Sequence, residues 1–238
     1  MLKLSERGKV AYVQLNAPPV NILTTKLLEA LRDAFAKVAA SPARALLLHG
    51  AGKCFSAGAD VGEHLPGQVE KMLPLFTKTI EELSALEIPT LAYVHGATLG
   101  GGFELAMACD LVVAAEDAKL GVPEITLGVF PPAAAAALPP EIGRRRALEL
   151  LLTGDPITAK TAFEWGLVNR VGPEEEAIKF LERIVRHPRP ALVACKKAAR
   201  AGLAEAERIY LQELMSHPEP VEGLKAFIEK RAPSWKEK

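Results

Sequence analysis

Residues 94–110 read VHGATLGGGFELAMACD, and the order of residue types within them decides how the chain is built. An apolar, β-prone run from Thr90 to His95 passes into the glycine-rich stretch Gly96 to Gly102 (GATLGGG), and a helical pattern begins at Gly101. Without Cβ atoms, Gly100, Gly101 and Gly102 let a ligand approach the backbone closely. The first N–H groups of the helix have no intrahelical partner, so negative charge is stabilised there. A tight turn in which glycine serves only packing explains the glycines alone equally well. Glu104 shifts the balance. Between Gly101 and Ala115 only Glu104 and Asp110 are charged, and a carboxylate on an otherwise apolar helix is costly unless it is paired or catalytic.

Working outward, the same strand, loop, helix unit recurs. Val10 to Leu15, Ala45 to His49 and Leu111 to Ala115 are further strands, followed by the loops Asn16 to Leu23, Gly50 to Asp60 and Glu116 to Pro123. Helical patterns cover Thr25 to Ala39, Val69 to Leu86, Gly101 to Ala108, Arg144 to Leu152, Ala159 to Trp165 and Glu174 to Val185. The class is α/β, and periodicity alone leaves a parallel Rossmann sheet open. Beyond His187-Pro188-Arg189-Pro190 the pattern is helical only: Ala191 to Ala201, Ala204 to Met215 and Val221 to Lys230. The division expected is therefore a body over residues 1–186 and a helical region over 187–238. Three amphipathic helices are too few to close their own core, so they lie on the body or on a neighbouring subunit.

Two more segments offer chemistry. In Gly121-Val122-Pro123-Glu124-Ile125 the acid follows a proline that opens a helical turn, where a carboxylate by default offsets the helix dipole. Lys53 to Asp60 (KCFSAGAD) is a second small-residue loop able to present N–H groups, with Asp60 a candidate N-cap.

Lys plus Arg and Asp plus Glu both total 29 in 238 residues, so no overall field favours nucleic acid or an anionic membrane. No apolar stretch is long enough to span a bilayer and the first ten residues have no signal core, so a cytoplasmic location is expected. Cys54, Cys109 and Cys195 lack paired spacing, and the five histidines lack metal-ligand spacing. Ser56 lacks the first glycine of a nucleophile elbow, and neither Gly100 to Gly102 nor Gly52-Lys53 completes a nucleotide-binding fingerprint.

Taken in order, FSAGAD, LGGGFELAMACD, GVPEITLG, LLTGDPITAKTAFEWGLVNRV and the closing EGLKAFIEKRAPSW resemble the enoyl-CoA hydratase, or crotonase, family over nearly the whole chain. The resemblance implies a spiral of strand-strand-helix turns with a C-terminal helical trimerisation region, commonly a dimer of trimers. It implies an acyl-CoA thioester as substrate, with CoA entering as part of it and no separate cofactor or metal. The oxyanion hole would be the N–H groups of Ala59 and Gly101. Glu104 would activate water toward C3, and Glu124 would supply the proton to C2, with the two roles open to exchange. Lys53 and Ala57 would contact CoA, joined by Phe227 and Lys230 of a neighbouring subunit, and Phe103, Phe130 and Pro132 would line the acyl pocket.

The sequence also departs from the family. Pro132 stands where many hydratases have a glycine whose N–H helps hold the catalytic water, and proline has no N–H to give. With LNAPPVNIL, ADVGEHLP and GVFPPAAAAALP the chain is similar to the branch that hydrates cyclic dienoyl-CoA esters. An isomerase, decarboxylase or CoA hydrolase would share the same oxyanion hole, and a non-catalytic acyl-CoA binder would share its fold.

Overall fold

The computed structural model describes residues 1–235. In chain order the elements are β1 (Leu2–Arg7), β2 (Val10–Leu15), α1 (Thr25–Ala40), β3 (Ala45–Gly50), α2 (Val69–Ser84), β4 (Thr90–Val94), β5 (Ala97–Leu99), α3 (Gly101–Met107), β6 (Leu111–Ala114) and β7 (Lys119–Gly121). There follow α4 (Pro132–Ile142), α5 (Arg144–Thr153), β8 (Ile157–Thr158), α6 (Ala159–Trp165), β9 (Arg170–Val171), α7 (Glu174–Val185), α8 (Arg189–Ala199), α9 (Leu203–Arg208) and α10 (Pro218–Ile228).

The main sheet runs β1-β2-β3-β4-β6-β9, and every pairing after the antiparallel β1–β2 hairpin is parallel. A doubly wound sheet reverses its strand order at a switch point. Here each new strand joins the same advancing edge, so the Rossmann alternative fails and the chain is a spiral. A smaller sheet, β5-β7-β8, forms within segments that read as loops. The bridge between Ser56 and Thr98 extends the same layer to the loop after β3. Successive turns therefore run strand, short strand, helix, as in β4-β5-α3.

The strands are apolar without interruption because both faces of the sheet are covered. Ala11, Val13, Leu46, Leu48, Ala92 and Val112 face one core with Leu28, Leu31 and Phe35 of α1. Val10, Ala45, Leu47, Leu91 and Val113 face the other, closed by Ala177 and Leu181 of α7.

Elements α4 and β1 are also absent from the sequence reading, and one expected helix is irregular. The Pro-Ala segment is a helix, α4, with Pro132 at a first-turn position where a missing N–H breaks no bond and Pro139-Pro140 near its end. Ala204 to Met215 is not one regular helix. After α9 it widens into a π-turn at Ile209–Glu213 and tightens into a 3-10 turn at Leu214–Ser216, with Glu213 held by Lys197 at 2.7 Å and Arg208 at 2.6 Å. β1 is a strand that the charge-alternating start of the chain did not reveal.

Among the C-terminal helices, α8 is tied to the body. Lys196 Nζ lies 2.6 Å from Asp110 Oδ2, and Arg200 Nη2 2.9 Å from Asp110 Oδ1. Beyond α8, Leu203, Leu211, Leu224, Phe227 and Ile228 remain exposed. No helix among the described residues is long and apolar enough to cross a membrane.

Candidate active site

The loop after β3 and the start of α3 are locked together by contacts that only small residues permit. Gly100 holds φ 53° and ψ −129°, backbone that L-residues rarely adopt, and a Cβ there would stand 2.5 Å from Glu124 Oε1. A Cβ on Gly102 would stand 2.6 Å from Ser56 Cβ and 2.8 Å from Ser56 O. Ser56 is itself fixed, since its hydroxyl donates to Asn21 O at 2.8 Å and accepts from the Gly58 N–H at 3.2 Å.

This packing brings two amides side by side. Leu23 bridges Ala59 in parallel fashion, its N–H donating to Gly58 O at 2.9 Å and its C=O accepting from the Asp60 N–H at 3.2 Å. In an extended segment alternate N–H groups face opposite ways, so the Ala59 N–H turns away from Leu23. It turns toward α3, where Ala59 N is 3.3 Å from the point a Gly101 Cβ would occupy. Gly101, as the first residue of α3, has no intrahelical acceptor. Among the described residues neither the Ala59 nor the Gly101 N–H donates to a protein acceptor.

Glu104 sits one helical turn beyond Gly101 and so on the same face of α3. It is 5% exposed, and its Oε1 accepts from the Ala134 N–H at 2.8 Å. Burial lifts its pKa to about 7. The amides of Ala134 and Ala133 at the start of α4 oppose that rise, and the charge of Glu124 adds to it. The helix that Pro132 opens thus spends its first free N–H groups on the Glu104 carboxylate. Glu124, in the turn Pro123–Leu127, also has its pKa raised by burial, and its Oε2 is buried without a partner.

Both carboxyls line one cavity of about 300 Å³, walled by Ala57 to Ala59, Gly100 and Gly101, and closed by Met72 and Phe76 of α2 and by Pro131 and Pro132. A larger groove of about 750 Å³ along α1 and α2 is lined by the solvent-facing Arg32–Glu82 pair and contains no buried carboxylate. The smaller cavity is the one that brings both carboxyls together with the two amides.

Of the residues singled out from sequence, Glu104, Glu124, Ala57, Ala59, Gly101, Phe130 and Pro132 all meet at this cavity, with Phe130 exposed at its mouth. Lys53 is exposed on the loop leading to it. Phe103 is the exception: two residues past Gly101 on a helix, its side chain points away from Glu104 and is fully buried in the core. Phe227 and Lys230 are exposed at the end of α10 and form no part of this chain's cavity wall. Sequence reasoning missed Met72, Phe76 and His64. The first two carry a signal, since apolar residues four apart mark the inward face of a helix.

Residues 5–238 match the family model described as enoyl-CoA hydratase/isomerase. The chain is 39% identical to cyclohexa-1,5-dienecarbonyl-CoA hydratase of Thauera aromatica over 98% of its own length and 95% of that protein. Among solved structures it resembles enoyl-CoA hydratase from Bacillus anthracis with a TM-score of 0.91 at 34% identity, covering 100% of this chain and 99% of that one. It resembles enoyl-CoA hydratase from Mycobacterium smegmatis with a TM-score of 0.90 at 32% identity, covering 98% of each chain.

Proposed function

Because this chain belongs to the enoyl-CoA hydratase/isomerase family, we propose that it adds water reversibly across the C2–C3 double bond of an enoyl-CoA thioester. The observation that carries this reading is the pair Glu104 and Glu124 in one cavity beside two amides without protein acceptors. The thioester oxygen accepts from Ala59 N–H and Gly101 N–H. As hydroxide adds at C3, charge builds on that oxygen, and a single such donor is worth about 3 to 4 kcal/mol in the transition state.

The two carboxyls divide the proton work. Burial holds the Glu104 pKa up at about 7, so part of it is ionised near neutral pH, and the Ala134 N–H steadies that anion as it takes a proton from water. Glu124, whose pKa burial also raises and whose Oε2 has no partner, is the acid that delivers a proton to C2. CoA is carried by the substrate. Lys53 and Ala57 contact it from this subunit, and Phe227 and Lys230 from a neighbour in a trimer or a dimer of trimers built through the exposed C-terminal faces.

Within the family, similarity to the cyclohexa-1,5-dienecarbonyl-CoA hydratase of Thauera aromatica favours a cyclic dienoyl group, and a compact cavity with Pro123, Pro131 and Pro132 in its wall suits a ring better than a long chain. The test is a panel of linear, branched and cyclic enoyl-CoA esters, followed by loss of the conjugated absorbance. Hydration is expected, fastest on the cyclic dienoyl ester, and Glu104→Gln and Glu124→Gln should each slow it by roughly 100-fold or more. Turnover confined to short linear esters would refute the cyclic assignment. Unchanged hydration in both variants would refute the roles of the glutamates.

A further inference from the structure

The segment Ala17 to Leu23 has no part in the reaction as described so far, yet the loop that carries Ala59 is laid along it. Val20 O accepts from the Ala57 N–H at 2.9 Å, Asn21 O accepts from the Ser56 hydroxyl at 2.8 Å, and Leu23 holds Gly58 and Asp60 on either side of Ala59. Within this segment only Asn21 has a polar side chain. It is 1% exposed and adopts φ 53°, left-handed backbone that asparagine tolerates better than most residues with a side chain. Its Oδ1 accepts from the Ala17 N–H at 2.8 Å, and its own N–H donates to Ala17 O at 2.8 Å. Nδ2 donates to Ala51 O, Cys54 O and Phe55 O at 2.9, 3.0 and 3.0 Å, so two hydrogens are shared among three acceptors.

Those three carbonyls have no backbone donor among the described residues. After Gly50 the chain doubles back so tightly that a Cβ on Gly50 would stand 2.7 Å from Phe55 Cα. The Asn21 amide joins the two limbs of that turn, Ala51 on one and Cys54 with Phe55 on the other. Without it, polar groups of a largely buried turn would go unpaired. The clamp then reaches both amides of the proposed oxyanion hole. The Ser56 hydroxyl that donates to Asn21 O also accepts from the Gly58 N–H at 3.2 Å, directly before Ala59. Ser56 also packs against Gly102, directly after Gly101, with no room for a methyl between them.

We propose that Asn21 is a positioning residue for catalysis, whose side-chain amide ties the β3 loop together and so fixes where the Ala59 N–H meets the Gly101 N–H. This rests on the hydratase reading above, in which those amides hold the thioester oxygen. Asn21 is not in the cavity wall. It acts through the amides alone, whose hydrogen bonds weaken steeply with misalignment.

Asn21→Gly keeps the left-handed backbone and the carbonyl that Ser56 needs, and removes only the side-chain bonds. Ser56→Ala is the milder change and cuts the link from Asn21 O to the Gly58 N–H. Leu181→Ala, in the core on the other face of the sheet, controls for lost stability alone. Each is read in two ways: by kinetics on enoyl-CoA esters, and by the infrared carbonyl stretch of a bound saturated acyl-CoA labelled at its carbonyl, which needs no turnover. We expect kcat and kcat/KM to fall by similar factors, roughly 10-fold or more in Asn21→Gly and about threefold in Ser56→Ala, with the carbonyl returning part of the way to its solution frequency in both. Folded Leu181→Ala should keep the wild-type kcat and frequency. A folded Asn21→Gly with wild-type kcat and frequency overturns the proposal. So does lost activity at an unchanged frequency, or the same changes in Leu181→Ala. If Asn21→Gly does not fold, Ser56→Ala decides by the same criteria. Absence of hydration by the wild-type protein would overturn the functional reading instead, while the carbonyl frequencies would still test the clamp.

Discussion

Glu104 joins opposing demands in a single side chain. Burial favours its neutral form and the first amides of α4 favour the ion, which leaves a carboxyl that titrates near neutrality. The consequence for stability has a definite sign. In the unfolded chain this group ionises near 4.5 and in the folded protein near 7, so between those values the folded state binds more protons and stability falls as pH rises. Its contribution is complete below about pH 4.5 and is lost above about 7. Glu104→Gln should therefore be more stable than wild type by about 3 kcal/mol at pH 8 and gain nothing at pH 4, as denaturant titrations at the two pH values will measure. An equal gain at both would show that the carboxyl is not strained by burial. The burial of Glu104 is legible in the sequence because the surrounding helix is apolar. That of Glu124 is not, since an acid after a helix-opening proline has an ordinary explanation. His64 offers no signal in one dimension, because only the fold brings it to the cavity wall. Phe103 misleads for a related reason: an aromatic next to Glu104 in sequence is turned away from it on a helix.

At the scale of elements, the glycine turn that opens α3 is a packing constraint that also sets the position of the Gly101 amide. Gly102→Ala would drive a methyl into the backbone carbonyl of Ser56, which the hydroxyl bond to Asn21 keeps in place. We expect it to cost about 1 to 3 kcal/mol and lower Tm by several degrees. Activity should fall further than stability because the Gly101 amide moves with the helix. A variant of wild-type Tm and turnover would contradict this. The strand and helix order was legible from apolar runs bounded by glycine and proline. The helix α4 was not, because prolines at both ends and an alanine run give neither periodicity nor a polar cap. Its function is likewise invisible before folding: what Pro132 cannot donate, Ala134 donates two positions later, and to Glu104.

At the scale of the molecule, the spiral places the cavity where the β3 loop, α3 and α4 converge, and the half-buried Asp110 helps to pin α8 to the body. Asp110 accepts from the Thr90 N–H and hydroxyl at 2.8 and 2.9 Å and pairs with Lys196 and Arg200 of α8. Asp110→Ala leaves Lys196 nearly buried without its counter-charge and should cost about 3 kcal/mol or more in a denaturant titration, against little change if α8 were held by apolar contacts alone. Sequence periodicity could not distinguish this spiral from a doubly wound sheet, because the two differ in which strands pair and not in the strands themselves. The proposed catalysis rests on two amides and one oxygen. The infrared carbonyl stretch of an isotope-labelled enoyl-CoA thioester should move to lower frequency on binding, as expected for an oxygen accepting from Ala59 and Gly101. A bound thioester that keeps its solution frequency would contradict the account.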